Sequence, residues 1–128
     1  MSQTNSIPSA NSHPITLTTA ISMTQKFRAN RETILDATYK GLDILPLNET
    51  FNRDAFDALL ATDGAEAIRL YYGMTEDLDI HAIFVAVNAD NEDLLPPATP
   101  SESETAQPVI MQTGQRCPTT CPPDSDLN

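Results

Sequence analysis

Tryptophan is absent from this chain of 128 residues, glycine appears four times, cysteine twice, and lysine and arginine together seven times. Each shortage removes a class of function. With so few glycines a phosphate-cradling loop is hard to build, and neither G-x-S-x-G nor H-E-x-x-H nor a kinase-like set of motifs occurs. Seven basic side chains against 18 acidic ones leave a formal charge of -11, which disfavours DNA, RNA phosphates or an anionic membrane as partners, because those need clustered Lys and Arg. The longest apolar run, Ala82 to Val87, has the length of a strand and falls far short of the roughly 18 to 20 residues that span a bilayer, so a soluble protein is expected. The opening segment carries neither the basic n-region nor the continuous apolar h-region of a Sec signal. The expectation is a cytoplasmic protein, with a non-Sec export route left open.

What is present is enough apolar content, 40%, for one core. Residues 1–14 are built from Ser, Asn, Thr, Gln and proline and read as a flexible or partner-ordered arm. Residues 15–96 hold the periodic patterns of an α+β domain, and residues 97–128 form a Pro-rich linker and a Cys-containing tail. From Thr16, a good N-cap, to about Asp36, the residues Leu17, Ile21, Thr24, Phe27, Arg31 and Ile34 recur at spacings of three and four, which predicts a helix. Leu42 to Leu47, broken by Pro46, predicts a short edge strand or an extended connector. A second helix is predicted after Asn52, with Phe51, Ala55, Phe56, Leu59 and Leu60 as its apolar stripe and Gly64 beyond its end.

Residues 67–73 alternate Ile68, Leu70 and Tyr72 against Ala67, Arg69 and Tyr71, the mark of a half-buried strand. Residues 80–87 are apolar at nearly every position, as a central strand covered on both faces would be, and the polar turn before them predicts a hairpin. Leu94 and Leu95 are expected to fold back onto the core, and Val109, Ile110 and Met111 to add a strand to a sheet edge. The fold class expected is α+β, two helices packed on a small, mainly antiparallel sheet, with extended polar N- and C-terminal arms.

Cys117 and Cys121 stand in a C-x3-C pattern between prolines, which is neither a zinc knuckle nor a thioredoxin-like motif. They are a disulfide candidate that closes a very small loop, formed in an oxidising compartment and left as thiols in a reducing one. His13 and His81 lie too far apart to complete a zinc finger, and no metal site or cofactor is expected. His81 beside Asp77 and Asp79 admits a general-base reading, but no nucleophile accompanies it and a packed strand histidine is the plainer account. Asn88 to Asp93 offer oxygen ligands for calcium, yet an EF-hand loop would need glycine at Asp93 and glutamate at Thr99. A solvated acidic loop is expected instead.

Charge is unevenly spread. Between Leu70 and Gln115 there are eight acids and no base, whereas Lys26, Arg28 and Arg31 share the first helix with one acid, Glu32. The basic helix of one copy facing the acidic hairpin of the next, around Asp77 and Asp79, would build a heterologous assembly, and the triplet at Val109 and Ile110 suits a neighbour's sheet edge. The functional expectation is a non-enzymatic structural or interaction protein, a homo-oligomer or a component of a larger protein complex. The alternatives are an adaptor that binds a basic protein through the acidic hairpin, and a small enzyme built on His81.

Overall fold

A computed structural model describes residues 6–97 and 108–128, so residues 1–5 of the arm and 98–107 of the linker lie outside the described residues. Among the described residues, two α-helices and two antiparallel sheets make an α+β fold. Helix α1 spans Leu17–Asn30 and opens as expected, with the Thr16 side chain accepting the Thr19 N–H at 3.1 Å. It stops well before Asp36. The Asn30 amide donates to the Lys26 carbonyl at 2.8 Å, and Glu32 accepts the Gly41 N–H at 3.1 Å, so side chains claim backbone groups and turn the chain where the apolar spacing alone would have continued it. Gly41 has φ +77, the left-handed conformation that glycine adopts without strain.

The piece after Gly41 is a connector whose Ile44 is 5% exposed, followed by strand β1 (Asn48–Thr50). Asn52 then caps helix α2 (Arg53–Leu60), its Oδ1 accepting the Asp54 N–H at 2.8 Å. Leu59 on α2 is fully buried while Leu60 faces outward. Strands β2 (Ala67–Met74) and β3 (Ile80–Val87) form the hairpin in unbroken register, from Ala67 opposite Val87 to Met74 opposite Ile80. Strand β4 (Asp93–Leu94) returns to pair with Val87 and Ala86, and β5 (Ile110–Met111) pairs with Val85 and Phe84. The last strand, β6 (Gln115–Cys117), joins β1 in the separate two-stranded sheet.

The core lies between α2 and the larger sheet. Phe84 of β3 meets Phe56 of α2 and Phe51 before it edge-on, with ring centroids 5.0 and 5.1 Å away, the offset geometry that aromatic quadrupoles favour. Val85, Ala86 and Val87 are essentially inaccessible, as the all-apolar run of β3 predicts. Residues 108–117 of the tail are part of this architecture, because β5 and β6 complete one sheet each and Cys117 is buried.

Candidate interaction surface

Helix α1 is 14 residues long and none of them is buried. Its Leu17, Met23 and Phe27 are 59, 62 and 38% exposed, and Ile34 just beyond it 72%. Met23, Lys26, Phe27, Asn30, Arg31 and Ile34 bound a groove of about 290 Å³. The helix is tied down through its arginines. Arg31 donates to the Leu45 carbonyl at 2.8 Å and pairs with Asp43 at 3.4 Å, and Arg28 donates to the Leu127 carbonyl at 2.6 Å. Two of the three basic residues expected to face a neighbour thus hold parts of their own chain, while Lys26 is exposed.

The outer edge of β3 is sealed along its length. Ile80 donates to the Ile44 carbonyl at 2.9 Å, Ala82 donates to the Glu49 carboxylate at 3.0 Å, and Phe84 and Ala86 pair with β5 and β4. Arg116 closes the lower end. Its side chain is 11% exposed, donates to the carbonyls of Ile80, Asp43 and Ile44 at 3.1 Å each, and lies 3.8 Å from the Asp79 carboxylate. This clasp joins the connector, the hairpin and the tail, and nothing in a lone arginine between Gln115 and Cys117 announces it. Asp79 is accordingly part of the clasp, and Asp77 sits exposed in the hairpin turn.

Cys117 and Cys121 are joined as a disulfide, with Cys117 buried beside β1. Val109 is half-buried and Ile110 pairs with Val85 of its own chain. The Nδ1 atom of His81 is buried without a hydrogen-bond partner, and the nearby Asp79 carboxylate is turned toward Arg116. Among the described residues no three His, Cys, Asp or Glu side chains gather as metal ligands. The acidic loop closes on itself: Asn88 Oδ1 accepts the N–H groups of Asp90 and Glu92 at 3.0 and 2.9 Å. No helix among the described residues is long and apolar enough to cross a membrane.

On the face of β2 away from α2, Arg69 and Tyr71 both donate to the Asp93 carboxylate, and Arg69 also reaches Asn91. The hydrogen bond to Asp93 raises the Tyr71 phenol above its ordinary value of 10.0 and holds the Arg69 guanidinium still more firmly protonated. The other face of β2 is open, with Leu70, Tyr72 and Met74 at 40, 78 and 60% exposure. Sequence alternation placed these residues on one face correctly, but their exposure follows from β2 lying at the end of the sheet. No family model matches this chain, and neither a curated protein nor a solved structure matches it.

Proposed function

We propose that this protein is a non-enzymatic structural or interaction protein that associates with itself or with a larger assembly. The observation that carries this reading is α1: a capped helix of 14 residues with no buried residue and with Met23 and Phe27 beside an open groove. An isolated helix of that length is marginal in water, and most helical stability in proteins comes from packing an apolar face. Met23, Phe27 and Ile34, left in solvent around one groove, are the kind of surface that marks a binding site.

The test is the solution mass of the full chain by light scattering after size exclusion, at low and high salt and with and without reductant. A mass at a multiple of 13.9 kDa is expected. A 13.9 kDa monomer under every condition, together with no stable association with any other protein, overturns the proposal.

A further inference from the structure

The two edges of the larger sheet are treated differently by this chain. Just past the hairpin strands, the Thr75 N–H donates to the Asp79 carbonyl at 3.0 Å. Hydrogen-bonded and non-hydrogen-bonded pairs alternate in an antiparallel ladder, so this bond sets the phase of the whole hairpin. Gly73, Tyr71 and Arg69 direct their backbone groups to β3, while Met74, Tyr72, Leu70 and Ile68 direct theirs outward. The same phase on β3 agrees with the outward N–H groups of Ile80 and Ala82, which bond Ile44 and Glu49. Every outward position of β3 is covered, whereas β2 pairs with no strand but β3 among the described residues.

Natural edge strands are protected by proline, lysine, a bulge or shortness. The first residues of β2 are guarded, since Glu66 and Ala67 both stand opposite Val87 and Ser6, Ile7 and Pro8 lie beside Ala67 to Arg69, but from Leu70 onward the strand has neither proline nor lysine and exposes Leu70, Tyr71 and Tyr72 in succession. Its single charge, Arg69, is neutralised in place by Asp93. Two copies of an acidic chain can therefore approach along a neutral line.

We infer that β2 is the docking site for β2 of a second copy, joined antiparallel about a two-fold axis at Tyr71 so that the two sheets become one. This rests on the self-association reading above and assigns it a surface. The argument for a second copy is symmetry: the outward residues 68, 70, 72 and 74 are centred on Tyr71, so the same set on a second copy satisfies all of them at once. In this register Leu70 lies opposite Tyr72 and the half-buried Ile68 opposite Met74 of the second copy, so the exposed Leu70, Tyr72 and Met74 are covered. Each copy carries a formal charge of -11. These like charges repel, and added salt, which shortens the Debye length from about 10 Å at 0.1 M, strengthens the dimer. A head-to-tail assembly of basic helix on acidic hairpin responds in the opposite direction.

The experiment is sedimentation or light scattering of the full chain and of Tyr72→Pro and Tyr72→Lys across a salt series. Proline at position 72 removes an outward N–H and leaves the ladder to β3 intact, and the lysine variant keeps every backbone group should proline disturb the fold. The expected result is a parent dimer that tightens with salt, and variants with folded circular dichroism whose dissociation constant rises at least about tenfold, the change for 1.4 kcal/mol. A parent oligomer that both folded variants retain unchanged overturns the β2 interface and leaves self-association standing. A parent that is monomeric throughout overturns the interface and the self-association reading together.

Discussion

Helices α1 and α2 are opposites in what they offer and what they receive. Helix α1 is nearly twice as long as α2 and is well capped, yet none of its residues is buried; α2 is short, and its Leu59 is fully enclosed against the sheet. Length and capping create a helix, but only a facing layer turns an apolar stripe into core. For α2 that layer is β3, brought close by the Phe51, Phe56 and Phe84 cluster. For α1 the attachments are hydrogen bonds from Arg28 and Arg31, polar links that position a helix without removing its apolar face from water.

The sharpest way to break this comparison is a matched pair of truncations. Leu59→Ala should cost about 3 to 4 kcal/mol of unfolding free energy, because it removes a fully buried side chain and leaves a cavity. Met23→Ala, 62% exposed on α1, should cost less than about 1 kcal/mol in the separated chain. Urea titration of both variants reads the difference, and equal losses would mean that α1 is packed in solution against a layer of its own chain. A smaller effect is expected from Gly114→Ala. Its Cβ would fall 2.5 Å from the Phe51 ring, so the tail or the aromatic cluster must shift, at about 1 to 3 kcal/mol. A neutral outcome in the same titration would separate the tail from the α2 core.

The caps sharpen the comparison further. Asn52→Ala should lower global stability by about 1 kcal/mol, since fraying α2 undoes its packing on the sheet. Thr16→Ala removes a cap of similar geometry, but on α1 the loss should appear as reduced helical circular dichroism with little change in the urea midpoint. Equal midpoint shifts would contradict an unpacked α1. The smallest effect concerns the β2 network. The hydrogen bond from Tyr71 to Asp93 raises the phenol above 10.0, so its stabilisation is complete below about pH 10 and is lost as pH climbs through the raised folded value. The advantage of the parent over Tyr71→Phe should shrink as pH rises beyond 10, and an advantage that stays constant would place the phenol outside the bond.

Much of the fold is readable in the residues. Alternation from Ala67, the apolar run to Val87, the Asn52 cap and the turn glycines each act through neighbours in the chain, and each is where the spacing places it. The end of α1 was not readable, because the groups that stop it, Asn30 on Lys26 and Glu32 on Gly41, are polar side chains whose alternative partner is water. Arg116 was hidden for a related reason: its acceptors belong to residues 43, 44 and 80, far off in sequence. Val109 to Met111 carried a strand signal, and the edge it serves lies on β3 of the same chain.

By itself the sequence determined the α+β class, the hairpin, the caps and the lopsided charge, because those depend on periodicity and on contacts within a few residues. Tertiary structure decided which helix is buried, which sheet edge is closed and which arginines become internal clasps. The physical reason is that an apolar stripe, a strand edge or a guanidinium specifies the kind of partner it needs, while the identity of that partner is set by which distant segments the fold brings within hydrogen-bonding and packing distance.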